Sequence, residues 1–334
     1  MRAVIVSREE TERVRQKLLF EGALDKTRRL VKKSGLIEIP VKESFAAEDL
    51  TLVEQEEPHF YIPKKTHGDY LDIPDSERKF LPAGWQILGD IIIISLHERL
   101  ENRKAEIGKA LLSFYPGCRT VLLDRGISGQ MRQPEREVIA GGSTETIHME
   151  NGCSFKIDAM KIMYSKGNLA ERKRMSKLGE GETVVDMFAG IGYFSIPMAV
   201  HSKPRKIFAI EINPVASGYL KENIKLNRVE DVVEPVTGDC AVATPHGIAD
   251  RVIMGYLDAH EYLEHGIRAL SPGGIIHYHE AVPEAIERRP VERIFAEAGK
   301  QGRDAKIINM RRIKKYSPGV WHVVVDARIA ARSP

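Results

Sequence analysis

The chain has 334 residues but only three cysteines, Cys118, Cys153 and Cys240. They lie far apart and are odd in number, so they make neither a disulfide framework nor a zinc-ligand pattern; a reducing, cytoplasmic setting is expected. Long apolar runs are missing as well. The run "IIIIS" at 91–95 is strand-sized, well short of the roughly 20 apolar residues that cross a bilayer, so no membrane association is expected. The opening "MRAVIVSREETERVRQ" soon turns charged and shows no secretory leader. There is no internal repeat and no low-complexity tract. A strong charge imbalance is absent too: 50 Lys and Arg against 47 Asp and Glu leave a net charge of +3, so composition alone does not mark a nucleic-acid binder.

What is there is ordinary for a water-soluble globular chain, with 43% hydrophobic and 29% charged residues. The length suits two or three domains. Basic residues are clustered in "KTRRLVKK", "ERKRMSK", "ERRPVER" and "RRIKKY". Such runs are usually solvated faces, but on one surface they could track a phosphate backbone.

Residues 1–53 read as a small α/β domain: a helix in "REETERVRQKLLFEG", then a strand in "GLIEIPV". Residues 54–84, rich in Pro, Gly and charge and without periodicity, read as a linker. Residues 85–164 begin with the buried strand "QILGDIIIISL" and a helix. Short strands broken by Gly and Asn follow, as in a compact β-rich α+β domain. From 165 to 334, strands alternate with helices: "ETVVDMF", "KIFAIEI", "VEPVTGD", "DRVIMG" and "GIIHYHE" are separated by helical segments, one of them capped by Asn213-Pro214. That alternation implies a parallel, doubly wound sheet. The last two strands, "AKIINMRRIK" and "VWHVVVDARI", have no helix between them and should form an antiparallel hairpin at one edge.

The strongest local signal is "VVDMFAGIGYFSIP". A buried strand opens into Gly190-Ile191-Gly192, which lets the backbone turn sharply toward a ligand at the carboxyl end of the sheet. A dinucleotide is disfavoured. The third glycine of that fingerprint falls on Ser195, the acid Asp186 stands on the strand, and Phe188 and Tyr193 crowd the pyrophosphate position. The second strand ends in Glu211, about twenty residues further on, where a carboxylate accepts both ribose hydroxyls. The third ends in Gly238-Asp239-Cys240, where an acid can receive an adenine amino group. Each acid could instead cap the next helix, but three in register describe a pocket for an adenosine carrying an amino-acid tail, S-adenosylmethionine.

These segments, with "KLNRVEDVV", "MYSKGNLAER" and "RIKKYSPGVWHVVVDAR", closely resemble archaeal enzymes of the guanosine-37 tRNA methyltransferase and wybutosine-synthesis superfamily. The resemblance covers roughly 86–328 and is weaker before 85. It implies a class I S-adenosylmethionine-dependent Rossmann-like domain behind a small β-rich domain, acting on the anticodon loop of phenylalanine tRNA. Two branches share this frame. One methylates N1 of guanosine; the other moves the 3-amino-3-carboxypropyl group onto C7 of 4-demethylwyosine. The methylating branch has Ser-Pro-Arg where this chain has Ser165-Lys166-Gly167. It has Asn-Pro-Pro or Asn-Leu-Pro where this chain has Gly255-Tyr256-Leu257. Both departures remove groups suited to a ring N–H that must lose its proton, and point to the aminocarboxypropyl branch.

By resemblance, Ser165, Arg172, Glu211, Asp239 and Cys240 contact the cofactor, with Asp186, Phe188 and Gly190 from the first loop. Arg172 is expected to grip the methionine carboxylate, and Tyr256 to stack on the target base, although a buried strand-end tyrosine is equally consistent. His277 and His279 share a strand face but lack a third ligand nearby, so packing is expected and no metal. Arg311, Arg312, Lys314 and Lys315 are candidate phosphate contacts. The alternatives are an N1-methyltransferase, a non-catalytic RNA-binding protein on the same fold, and a dinucleotide oxidoreductase.

Overall fold

The computed structural model describes residues 1–47, 49–61, 67–129 and 133–332. The chain divides into two compact units, Met1–Thr66 and His67–Pro334. In the first, β1 (Arg2–Val6) is followed by α1 (Thr11–Phe20), β2 (Val31–Lys33), β3 (Leu36–Pro40) and β4 (Leu52–Glu54). The antiparallel sheet runs β2-β3-β1-β4. Helix α1 sets Val14 and Leu18 against Val4, Val6, Ile39 and Val41. Arg28, from the first basic run, is buried here and bonds Asp25, Gln55 and the carbonyls of Arg2 and Val41.

The second unit opens inside the stretch expected to be a linker. Leu71 and Ile73, just before α2 (Asp75–Arg78), are buried in an apolar cluster with Ile92, Ile107 and Leu111. Two apolar residues set among Pro, Gly and charge carry no periodicity, so nothing local revealed that 67–84 is packed. Then come β5 (Gln86–Leu88), β6 (Ile91–Ile94), α3 (Lys104–Phe114), β7 (Thr120–Ser128) and β8 (Gln133–Ala140), in sheet order. Successive strand side chains point to opposite faces. Ile92 and Ile94 therefore join the cluster under α3, while Ile91 and Ile93 join the core of the larger domain.

A hairpin of β9 (Glu145–Glu150) and β10 (Cys153–Asp158) turns through Asn151 and Gly152. Both have positive φ, as a two-residue type I′ turn requires. Next are α4 (Leu169–Met175), β11 (Thr183–Asp186), α5 (Ser195–Ser202), β12 (Lys206–Glu211), α6 (Pro214–Leu226), β13 (Val233–Thr237), α7 (Cys240–Ala243), β14 (Ala249–Met254), α8 (Leu263–Ala269), β15 (Leu270–Pro283), α9 (Arg289–Lys300), β16 (Arg303–Ser317) and β17 (Val320–Ala331). Asn223 of α6 accepts from the Lys156 amide at 2.7 Å and donates to its carbonyl, and Asn227 does the same for Ser154. Two side-chain amides thus stand in for a neighbouring strand and fasten β10 to α6.

The seven-stranded sheet has the order β13-β12-β11-β14-β15-β17-β16. It is parallel up to β15. The closing hairpin then adds β17 and β16 antiparallel, with β16 at the edge as expected. Helix α8 ends at Ala269, just before "SPGG", and the pairing of β15 with β14 slips across that segment, from Leu270 opposite Ala249 to Ile275 opposite Arg251. At Gly274 a Cβ would lie 2.9 Å from the Ala249 carbonyl oxygen, so the missing side chain lets β15 pass close to β14. The strand order reverses between β11 and β14, and ligands bind outside the strand ends at such a switch point.

Candidate active site

A cavity of about 290 Å³ opens at the carboxyl ends of β11, β12, β13 and β14. Ser165, Arg172, Phe188, Gly190, Glu211, Asp239, Cys240 and Tyr256, all singled out from sequence, line it together. Asp186 stands apart. It is fully buried beneath the loop, accepts from the Ser195 hydroxyl at 2.6 Å and from the Phe188 amide at 3.4 Å, and is not part of the cavity wall. Burial pushes its carboxyl up to about 6. Its place is to brace the loop against the start of α5.

The loop shape follows from its glycines. Gly190 and Gly192 have φ of +59° and +98°. A Cβ on Gly192 would lie 2.4 Å from Ile196 Cδ1 and 3.1 Å from Leu220 Cδ1, so only glycine admits the loop this close to α5 and α6. The Gly190 amide donates to Glu211 Oε2 and the Asn213 amide to Oε1, both at 2.8 Å. The carboxylate is thereby fixed at the cavity edge, where burial raises its pKa. Asp239 does cap α7, accepting from the Ala241 amide at 2.9 Å, and still lines the cavity. The Cys240 thiol, pushed up to about 12 by burial, is not a nucleophile at neutral pH.

The mouth is aromatic. Phe188 has Tyr256 at 5.3 Å and Tyr262 at 5.5 Å between ring centroids. Beside Tyr256, a Cβ on Gly255 would sit 2.8 Å from Phe194 Cε2. At this position, where the resemblance puts an asparagine in the methylating branch, any side chain would have to displace the Phe194 ring.

The opposite wall comes from the turn before α4 and from β16. Arg172 is only 2% exposed. Its Nε and Nη2 both donate at 2.6 Å to the two Glu150 oxygens, and Nη1 donates to the Ser165 carbonyl at 3.0 Å. The guanidinium also lies over the rings of Tyr164 and Tyr193. Burial would raise the Glu150 carboxyl, but bonds from His148, Arg172 and Tyr164 override it and hold it at about 2. The fork foreseen for a methionine carboxylate thus already grips an internal one. Ser165 and Arg172 meet across a 3-10 turn and the first turn of α4. Lys314, half-buried on β16, donates to Ser165 Oγ at 2.6 Å.

Several arginines of the basic runs are paired with carboxylates of the same fold. Arg174 bonds Glu171 and Asp326; Arg311 bonds Asp326; Arg289 and Arg293 bond Glu280; Arg312 bonds Glu284 and Glu287. Of the candidate phosphate contacts, Arg311 and the exposed Arg312 pair with these carboxylates, and Lys315 lies over the Trp321 ring. His277 bonds Asp326 at 2.5 Å and Arg251 at 2.5 Å; His279 bonds His322 at 3.0 Å. Burial first, then neighbouring positive or imidazole groups, lowers His279 and His322 to about 3, so both are neutral. His322, which lines the cavity, escaped sequence reading, as did Glu150. Neither sits in a motif; only the folded chain brings His322 to His279 and Glu150 to Arg172.

Residues 146–308 match the TRM5/TYW2 methyltransferase domain, 69–144 the TYW2 N-terminal domain and 3–49 the tRNA methyltransferase 5 N-terminal domain. The chain is 47% identical over 248 residues to the tRNA(Phe) (4-demethylwyosine(37)-C(7)) aminocarboxypropyltransferase of Methanocaldococcus jannaschii, covering 73% of this chain and 97% of that one. The chain belongs to the TRM5/TYW2 family. Two solved TRM5/TYW2 structures bracket it. Trm5b of Pyrococcus abyssi superposes with a TM-score of 0.77 at 37% identity over 99% of both chains. TYW2 of Pyrococcus horikoshii, in complex with MeSAdo, gives 0.71 at 39% identity over 78% of this chain and 95% of that one. The family and the doubly wound fold inferred from the motifs are thereby shown.

Proposed function

We propose that the chain transfers the 3-amino-3-carboxypropyl group of S-adenosylmethionine to C7 of 4-demethylwyosine at position 37 of tRNA(Phe), releasing 5′-methylthioadenosine. The 47% identity spanning 97% of an enzyme named for this reaction carries the reading. The cavity supports it. Glu211, fixed by two backbone amides, is set to accept the ribose hydroxyls, and Asp239 with the Cys240 backbone to hold adenine. Phe188 and Gly190 shape the loop beside them, and Tyr256, in its aromatic cluster, offers a face to the target base. The partner is the tRNA anticodon loop, and a cytoplasmic setting suits the free cysteines.

Bound S-adenosylmethionine supplies three carbons on one sulfonium, each open to attack. The walls decide which carbon stands in line with the nucleophile, and that alignment sets the product. In the proposed transfer a bond forms between C7 and the γ-carbon. The bond from that carbon to sulfur breaks, its electron pair stays on sulfur as a neutral thioether, and C7 sheds its proton.

The N1-methyltransferase reading draws on the match to Trm5b along 99% of both chains. Against it stand Gly255, where a side chain would have to displace Phe194, and Gly167, where the arginine would be. The test supplies cofactor labelled in the methyl group or in the methionine carboxyl, with tRNA carrying each base. Carboxyl label moving to 4-demethylwyosine is expected; methyl label moving instead would overturn the reading. Failure to bind S-adenosylmethionine would favour a non-catalytic RNA-binding protein.

A further inference from the structure

We propose that Tyr316 is a stacking platform for an unpaired RNA base next to the target nucleotide, brought to the rim of the cavity by a β-bulge in β16. The inference rests on the proposed RNA substrate and adds the residue that holds a neighbouring base.

The first observation is register. From Arg303 to Ile307, β16 pairs with β17 one residue to one. Toward the turn the pairing slips twice. Arg312 faces Val323 but Lys314 faces His322, and Lys315 faces Trp321 but Ser317 faces Val320. Ile313 and Tyr316 are the extra residues. A bulge bends its strand and re-aims a side chain, and bulges gather beside active sites. Here Tyr316 joins the cavity lining, while Lys315 before it lies over the Trp321 ring.

The second observation is a bare ring on a fixed support. Tyr316 is 51% exposed, whereas Phe188, Phe194 and Tyr256 of the same lining are half-buried or buried. The hairpin tip that carries it is fastened. The Glu284 amide donates to the Gly319 carbonyl at 2.9 Å, Arg312 bonds Glu284 and Glu287, and the Arg312 guanidinium stands 4.8 Å from the Trp321 ring centroid. A ring held on such a tip gives up little freedom when a base covers it.

The third observation is separation. Tyr256 belongs to the cluster of Phe188 and Tyr262 beyond the end of β14. Tyr316 enters from β16, three places along the sheet order. Two rings from different strands suit two successive bases. Lys166, exposed on the 3-10 turn that packs against β16, adds a cation for the phosphate backbone between them.

The test is steady-state transfer to tRNA(Phe) carrying 4-demethylwyosine, with S-adenosylmethionine affinity measured by calorimetry. Tyr316→Ala should raise KM for tRNA about tenfold, keep kcat at saturating tRNA within about twofold, and leave the calorimetric affinity unchanged. Tyr316→Phe should restore KM, since the ring face is what stacks. Substrates lacking the base on one or the other side of the target complete the cycle. With one of them, wild type should show the same rise in KM and Tyr316→Ala should add nothing further. An unchanged KM, a loss in kcat or in cofactor affinity, or additive effects with both substrates overturns the proposal. Wild-type protein that transfers nothing to this tRNA would instead overturn the proposed reaction.

Discussion

At the end of the cavity proposed for adenosine, the glycine loop, Glu211, Asp239 and Cys240 follow one another along consecutive strand ends. At the opposite end, proposed for the tail, Lys314 and Ser165 are 149 residues apart, and the ion pair of Arg174 and Asp326 is 152 apart. The adenosine end uses backbone amides to fix its carboxylate; the tail end uses buried ion pairs. One end can be reused wherever strand, loop and helix recur. The other exists only where this particular sheet is closed by its hairpin.

The largest expected effect tests the ion pairs. Glu150→Ala leaves Arg172 buried without its partner and should cost about 3–5 kcal/mol in urea unfolding. A loss below about 1 kcal/mol would mean the tail wall does not depend on this pair. Gly192→Ala probes the adenosine end by backbone shape. With φ at +98° and Ile196 in the way, it should cost about 1–3 kcal/mol in the same measurement. Asp239→Ala should weaken S-adenosylmethionine and 5′-methylthioadenosine by the same factor, about tenfold, with the melting temperature nearly unchanged. Unequal factors would break the division between the two ends, since Asp239 is placed on the part that both ligands share.

The smallest effect is in pH dependence, where the ends oppose each other. Asp186 is raised to about 6 in the folded chain, so it adds stability below its unfolded pKa and loses that contribution as pH rises through 6. His279 and His322 are lowered to about 3, so their contribution is present above the unfolded value near 6.5 and is lost as pH falls toward 3. In stability-against-pH curves, Asp186→Asn should steepen the loss on acidification, and His279→Gln should flatten it. The reverse pattern would contradict the assigned protonation states.

The same contrast explains what could be read in advance. Strand–helix alternation, the edge hairpin and the acids at the strand ends are local patterns, and the fold and one end of the cavity followed from them. Asp186 shared the pattern but points under the loop, because its partner Ser195 is nine residues on and buried with it. The basic runs looked like surface because nothing in "ERKRMSK" or "RRIKKY" announces Glu150 or Asp326 as partners. The linker reading failed from 67 onward because Leu71 and Ile73 gain their burial from strands and a helix beyond them.

Strand β17 lies between β15 and β16, although it is made last of the three. As the chain leaves a ribosome, β11, β12 and β13 emerge while β16 and β17 are still unmade. Because a domain generally folds as a unit, the seven-stranded sheet closes only once β17 is made and inserts between β15 and β16, so the cavity wall that Ser165 shares with β16 is completed last.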